Sequence, residues 1–162
     1  FIEPQYMRAY VHRGTTYSNV GRPDRAIADF DEAARLDPND AITYYSRGIA
    51  YSNMAQPRKS IEDYDQAIRL NPRMSEAYNN RGNAYIELGQ PGRAIEDYDE
   101  AVRLNAEYAD AYVNRALAHA VMDMDAFALK DISWAVELGI DREALERSVE
   151  QVRRRRSHSA VR

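Results

Sequence analysis

One 34-residue pattern recurs along most of the chain, and this recurrence limits the folds that the chain can adopt. The stretch YNNRGNAYIELGQPGRAIEDYDEAVRL begins at Tyr78, and related stretches begin at intervals of 34 residues at Tyr10, Tyr44 and, with more substitutions, Tyr112. Four units therefore follow one another without insertion: 7–40, 41–74, 75–108 and 109–142. A fixed period of this length predicts a stack of equivalent units that share a continuous core.

The spacing of apolar residues within each unit is helical. With Met7 as position 1, positions 4, 8 and 11 lie on one face of a first helix, and positions 20, 24 and 27 lie on one face of a second. Rings at positions 4, 11 and 24 alternate with small residues at positions 8, 20 and 27, so two antiparallel helices can pack closely. A turn precedes Pro23, Pro57 and Pro91, and proline suits the first turn of a helix.

The same positions resemble a known repeat family. Gly or Ala at position 8, Tyr at 11, Ala at 20, an aromatic ring at 24, Ala at 27 and Pro at 32 resemble the tetratricopeptide repeat. The resemblance implies an all-α, right-handed α-solenoid of four helix-turn-helix repeats. Unit four departs from the pattern at His119, Asp125 and Ile140, so we expect it to be the most distorted unit.

The two ends of the chain differ from the four units. Residues 1–6 place Ile2 and Pro4 in register with the end of a unit, so this segment is interpreted as the remnant of a preceding repeat. Residues 143–162 break the register and end in a basic tail. Apolar residues in this segment and just before it lie at helical spacing, namely Ile140, Leu145, Val149 and Val152. This spacing predicts a capping helix that shields the last repeat.

Trp134 occupies a position where the other units carry Glu32, Gln66 and Glu100. An apolar ring thus occurs only where no further repeat follows. We therefore expect the capping helix to cover Trp134.

Composition excludes several classes of protein. The chain of 162 residues has 44% hydrophobic residues and no cysteine. It therefore has no disulfide or thiolate metal site, which fits a reducing, cytoplasmic location. No apolar run reaches the roughly 18 residues of a membrane span. The net charge is −4, and residues 141–162 carry seven Arg against four Asp or Glu, leaving 15 basic and 22 acidic residues before them. An acidic body argues against nucleic acid as the main partner.

The sequence shows no catalytic motif. His12, His119 and His158 have no metal-ligand spacing, and neither a thiol nucleophile nor a glycine-rich phosphate loop is present. We expect a non-catalytic protein without a metal or cofactor, in which His119 is packed at a core position.

An arginine at position 7 and an aspartate at position 23 recur in every unit. Recurrence favours a structural ion pair over a ladder of anion-binding arginines. Two pairings are possible, because the aspartate can meet the arginine of its own unit or of the next. Pairing within the unit is favoured, since the last unit retains both residues.

The resemblance also implies a concave groove lined by positions 2, 5, 6, 9, 12 and 13 of the first helices. These positions vary while the core repeats, which is typical of a recognition surface. They are rich in Asn and Ser, and Asn can both donate to and accept from an extended peptide main chain. Asn80 and Asn114 resemble the asparagine ladders of the family. The predicted peptide-binding groove comprises His12, Thr15, Asn19, Tyr45, Ile49, Asn53, Asn79, Asn80, Asn83, Asn114 and Leu117.

The predicted function is a scaffold that binds a peptide or a partner helix in this groove. In the family, a carboxylate clamp that grips a peptide's C-terminal carboxylate needs Lys at position 5. This chain carries Val11, Tyr45, Asn79 and Val113 there, so binding of that type is disfavoured. Two alternatives remain at this stage. One is a self-assembling structural module that associates through its N-terminal end, and the other is contact of Arg153–Arg156 with nucleic acid or an acidic surface.

Overall fold

The computed structural model describes residues 4–160, with side chains from residue 6 to residue 156. Within that range the chain forms nine α-helices and no strand. The helices are α1 (Pro4–Asn19), α2 (Pro23–Leu36), α3 (Ala41–Asn53), α4 (Pro57–Leu70), α5 (Ser75–Glu87), α6 (Pro91–Leu104), α7 (Ala109–Val121), α8 (Asp125–Glu137) and α9 (Arg142–Ala160). None of these helices is long and apolar enough to cross a membrane.

The helices pack in the order in which they occur in the sequence. Each unit forms a pair, α1 with α2 through α7 with α8, and each second helix also packs on the first helix of the next unit. The first helices α1, α3, α5 and α7 are in turn neighbours. The described fold is therefore an α-solenoid, as predicted.

Small residues at position 8 allow the paired helices to approach. A Cβ atom added at Gly48 would lie 2.6 Å from Cε1 of Tyr64, and one added at Gly82 would lie 2.6 Å from Cε1 of Tyr98. A Cβ atom added at Gly14 would lie 2.8 Å from Cε1 of Phe30. Because a ring lies directly against the bare backbone of each glycine, the pair of helices cannot accept a larger residue at position 8 without moving.

Unit four keeps the helix boundaries of the other units to within one residue. Its first helix has 13 residues, as in units two and three, and its second has 13 rather than 14. Among the described second helices, that of unit four alone differs in length, and the expectation that this unit is the most distorted stays a prediction. At positions 8 and 24 this unit carries Ala116 and Ile132, where the other units carry glycine and an aromatic ring. The larger residue at position 8 and the smaller one at position 24 compensate each other, and both are buried in one cluster.

Helix α9 covers the end of the last unit. Leu145 and Val149 are buried in one cluster with Ala116, Ala120 and Ile132, and Ile140 and Val152 pack at its edge. This arrangement follows from the helical spacing of the apolar residues in this segment.

The expectation that α9 covers Trp134 is wrong. The indole is 46% exposed and stacks on Tyr112, with ring centroids 6.3 Å apart. The reason is the direction from which α9 packs: it lies mainly against α7 and touches α8 little. The outer surface of α8, which carries Trp134, therefore stays open.

Helix α1 begins three residues before the first unit. Pro4, Gln5 and Tyr6 continue it without a break, whereas the first helices of the other units begin at position 1. Residues 1–3 lie outside the described part of the chain. The interpretation of residues 1–6 as the remnant of a further repeat stays a prediction.

Candidate functional site

An ion pair within each unit joins the first helix, which lines the predicted groove, to the second. In unit one, Nε of Arg13 donates to Oδ2 of Asp29 at 2.8 Å, and Nη2 donates to Oδ1 at 2.6 Å. The same two bonds join Arg47 to Asp63, Arg81 to Asp97 and Arg115 to Asp131. The predicted pairing within the unit is confirmed.

A second carboxylate connects three of these arginines to the preceding unit. Nη1 of Arg81 donates to Oδ1 of Asp65 on α4 at 2.6 Å, so one guanidinium holds two units together. Arg47 binds Asp31 and Arg115 binds Asp99 in the same way, each at 2.7 Å. This contact is absent from the sequence-based prediction, although the recurrence of Asp at position 25 in units one to three signals it.

The arginines also lie over the rings at position 4. The guanidinium carbon of Arg81 is 5.5 Å from the ring centroid of Tyr78, and the other three units show the same contact at 5.4 Å. With two carboxylates and a ring around each guanidinium in units two to four, these arginines do not form an anion-binding ladder. Their role is to join the helices that position the groove.

A chain of amide hydrogen bonds crosses the middle of the groove. Nδ2 of Asn114 donates to Oδ1 of Asn79 at 3.0 Å, and Nδ2 of Asn80 donates to the hydroxyl of Tyr45 at 3.1 Å. A bond of 3.3 Å from Nδ2 of Asn79 to Oδ1 of Asn80 connects the two. The chain therefore links α7, α5 and α3, and it fixes the orientation of each amide.

Tyr108 extends this network and is not among the residues predicted from the sequence. Burial, together with the nearby Tyr45, Glu76 and Asp110, raises the pKa of Tyr108 to about 12, against an opposing hydrogen bond with Asn79. Burial and Glu76 likewise raise the pKa of Tyr45. Both hydroxyls thus stay protonated at neutral pH. Position 34 differs in every unit, so no recurrence could have indicated Tyr108.

Pockets open where two consecutive units meet along the groove. One pocket of about 270 Å³ lies between α5 and α7, lined by Asn83, Ile86, Glu87, Tyr98, Asn114, Leu117 and Ala118. The corresponding pocket between α1 and α3 has about 80 Å³, and Thr15, Ser18, Asn19, Phe30, Ser46 and Ile49 line it. The hydroxyl of Tyr98 donates to Oδ1 of Asn83 at 2.7 Å, whereas Phe30 offers no hydroxyl. The floor of the first pocket therefore includes a hydroxyl group, whereas the floor of the second is an apolar ring.

A third pocket, of about 550 Å³, lies near the N-terminal ends of α1 and α3, where Arg8 and His12 meet Asp37, Asp40 and Ile42.

The predicted groove residues differ in exposure. His12, Thr15, Asn19 and Asn53 are exposed, and Tyr45, Ile49, Asn80, Asn83, Asn114 and Leu117 are half-buried. Asn79 is only 4% exposed and lies beneath the surface. Its amide therefore contacts other side chains of the predicted groove instead of facing solvent.

His119 is packed, as predicted. Its ring is 5% exposed, its Nδ1 lies 3.0 Å from Oδ2 of Asp131, and the ring of Phe127 lies 5.4 Å away. In the described part of the chain, no group of three His, Asp or Glu side chains could hold a metal ion.

The arginines of the tail bind the protein itself. Nε of Arg153 donates to Asp125 at 2.9 Å, and Nη1 of Arg156 donates to the carbonyl of Ala120 at 3.0 Å. Nη2 of Arg156 lies 2.7 Å from Asp123. These contacts anchor α9 to the turn between α7 and α8.

A superhelical stack of helix pairs with a variable, pocketed face on its first helices defines the class of α-helical repeat proteins. A family model for the tetratricopeptide repeat matches residues 8–40, 41–74 and 75–108. The chain belongs to the tetratricopeptide repeat family. A search of curated protein sequences finds no match.

Several solved structures have the same fold. The crystal structure of MamA superposes with a TM-score of 0.79 at 27% identity, covering 84% of this chain and 80% of MamA. YrrB, described as a TPR protein with an unusual peptide-binding site, has a TM-score of 0.72 at 25% identity and coverages of 80% and 67%. The first TPR of Spaghetti (RPAP3), bound to the HSP90 peptide SRMEEVD, has a TM-score of 0.73 at 22% identity and coverages of 75% and 97%.

Proposed function

We propose that this protein is a non-catalytic scaffold that binds an extended peptide along the first helices α1, α3, α5 and α7. The observation that carries the proposal is the amide chain from Asn114 to Tyr45, which lies between pockets at the unit boundaries. Each amide Nδ2 has two hydrogens and each Oδ1 has two lone pairs, so Asn80 and Asn114 retain capacity to bond a peptide main chain. The buried Asn79 positions them.

The pockets supply contacts for side chains. The pocket between α5 and α7 has apolar walls of Ile86, Leu117 and Ala118, with Glu87 among its lining residues. An aliphatic or aromatic side chain fits between these walls, and a basic group at its tip would meet the carboxylate of Glu87. Both YrrB and the Spaghetti repeats share the fold of this chain, and their peptide binding supports the proposal that this chain also binds a peptide.

The charge of the groove disfavours an acidic ligand. Of the charged residues at groove positions, Glu76, Glu87 and Asp110 are acidic and only Arg8 is basic. Together with the missing Lys at position 5, this charge distribution argues against a ligand that binds by its C-terminal carboxylate. We infer a ligand that is uncharged or basic where it crosses α5 and α7.

Selection from a displayed peptide library, followed by titration of one selected peptide, tests the proposal. Asn80→Ala with Asn114→Ala should weaken binding by about five-fold to 150-fold, because each lost hydrogen bond costs roughly 0.5 to 1.5 kcal/mol. The affinity of an uncharged peptide should change little with salt, whereas that of a peptide with a basic group opposite Glu87 should fall as the salt concentration rises.

The matched control is Gln151→Ala, which removes an exposed amide on α9 outside the groove. Circular dichroism should show that all variants remain folded. Peptide affinity that is unaffected by the Asn variant, or reduced by the α9 variant alone, would place binding outside the groove.

A further inference from the structure

The outer face of α1 is uncovered, although the same face of α3, α5 and α7 is buried. Ala9 at position 3 and Thr16 at position 10 are exposed. Their counterparts at position 3 are Thr43, Ala77 and Ala111, each 0% exposed, and at position 10 they are Ala50, Ala84 and Ala118, at most 2% exposed. In those units the second helix of the preceding unit covers the face.

Arg13 lies between these two exposed residues and lacks one of the contacts made by its counterparts. The side chain of Arg13 is 58% exposed, against 18% for Arg47, 19% for Arg81 and 15% for Arg115. Its Nε and Nη2 hold Asp29, as in every unit. Among the described residues, no carboxylate binds its Nη1.

The three internal boundaries show what this face accepts. At two of these boundaries the covering helix presents an isoleucine at position 21, Ile27 or Ile95, that packs against the cluster containing the small residue at position 10, Ala50 or Ala118. Four residues later it presents an aspartate, such as Asp65, that bonds Nη1 of the arginine. Residues four apart lie on one face of a helix, so both reach the same surface.

We propose that the outer face of α1, formed by Ala9, Arg13 and Thr16, is a docking surface for a helix from outside residues 4–160. That helix carries an aliphatic residue followed four residues later by an aspartate or glutamate. The carboxylate binds Nη1 of Arg13, and the aliphatic side chain packs over Thr16. The surface is separate from the peptide groove, so it can be occupied whether or not a peptide is bound.

A second copy of this chain does not supply such a helix. In α2, α4 and α6 the required face is already covered, which leaves α8 as the only described second helix with an open side. At position 25 this helix carries Ser133 instead of aspartate, and α9 packs beside it. The occupant is therefore a helix of different sequence.

A chain with a copy of residues 41–74 inserted between Tyr6 and Met7 provides a defined probe. The insertion preserves the 34-residue register and places a helix with the sequence of α4 beside α1. Because the protein has no cysteine, Ala9→Cys creates a single reporter on the proposed surface. Its rate of labelling by a maleimide measures how often the surface is open.

We expect the insertion to slow labelling at position 9 by at least about ten-fold, toward the rate of Ala77→Cys, its covered counterpart in unit three. Replacing the inserted copy of Asp65 with Asn should raise the rate again by about two- to five-fold. Replacing the inserted copy of Glu62, which is exposed in α4, with Gln serves as the matched control and should not change the rate.

Equal labelling with and without the insertion would overturn the docking surface. If replacing the inserted copy of Asp65 with Asn leaves the labelling rate at position 9 unchanged, the proposed role of the carboxylate is overturned. Labelling of the unmodified chain that slows as its concentration rises would show that a second copy is the occupant.

A photo-crosslinking amino acid at position 9, in the cells that make the protein, identifies the natural occupant. The cross-linked segment should be helical and contain the aliphatic residue and the acidic residue four positions apart. A segment without this pair contradicts the proposal.

Discussion

At the scale of single residues, the core depends on the match between position 8 and position 24. Glycine faces a ring in units one to three, and Ala116 faces Ile132 in unit four. The chain thus contains two solutions to the same packing problem, one with a bare backbone against an aromatic ring and one with a methyl group beside a branched side chain. Each residue is acceptable only with its own partner, because protein cores have little free volume.

Gly82→Ala should lower the free energy of unfolding by about 1 to 3 kcal/mol, since the new methyl group would overlap the ring of Tyr98. The double variant Gly82→Ala, Tyr98→Ile reproduces the pair of unit four and should recover part of that loss. Urea unfolding followed by circular dichroism measures both.

Gly92→Ala is the matched control for this prediction, because an added Cβ there has no neighbour within 4 Å. It should leave stability unchanged or raise it by up to about 1 kcal/mol, as alanine favours a helix over glycine. A double variant less stable than Gly82→Ala alone would show that the two positions do not compensate each other.

At the scale of helices, each internal arginine joins three elements. Arg81 on α5 binds Asp97 on α6 within its unit and Asp65 on α4 in the preceding unit. The two contacts differ in environment, since the side chain of Asp97 is 6% exposed and that of Asp65 is 46% exposed. The buried contact therefore holds the unit together, and the exposed one adds a weaker bond between units.

Arg81→Ala should cost about 3 kcal/mol of folding stability, because it leaves Asp97 buried without its partner. Asp65→Asn should cost less than about 1 kcal/mol, as for other solvent-exposed pairs. The measurement is urea unfolding at low salt, since guanidinium chloride would screen both contacts.

The control for the arginine series is Arg103→Ala, which breaks an exposed pair with Glu100 and should have almost no effect. Equal losses from Asp65→Asn and Arg81→Ala would mean that the contact between units dominates.

At the scale of the whole molecule, stability depends on neighbouring contacts along the stack and on how its ends are closed. The C-terminal end is closed by α9, whose Leu145 and Val149 complete the last hydrophobic cluster. This helix approaches from the side of α7, so it closes the core of unit four while Trp134 stays on the open surface of α8.

Leu145→Ala should lower the free energy of unfolding by about 2 to 4 kcal/mol, because the leucine is 4% exposed in a closed cluster. The emission maximum of Trp134 in the folded variant should hardly shift, since the indole is already half exposed. Fluorescence spectra in buffer and in urea measure both quantities.

Glu146→Ala, at the exposed neighbouring position, should change neither quantity. A large red shift in folded Leu145→Ala would show that α9 shields the indole after all.

The sequence by itself determined the features that recur with the period of the chain. Pro23, Pro57 and Pro91 begin α2, α4 and α6, as proline in the first turn of a helix predicts. The arginine and aspartate at positions 7 and 23 pair within each unit, because a contact present in every unit must be available to the last one. Such features depend on local spacing along a helix, which the order of residues encodes directly.

Only the tertiary structure decided the burial of Asn79, the exposure of Trp134 and the packing of α9 against α7 instead of α8. These outcomes depend on how far one helix tilts and shifts against another of distant sequence. Asn79 lies at a position assigned to the groove, yet the neighbouring Asn80, Asn114 and Tyr108 enclose it. Periodicity predicts which face of a helix is buried, whereas the depth of each side chain on that face is set by the helices packed around it.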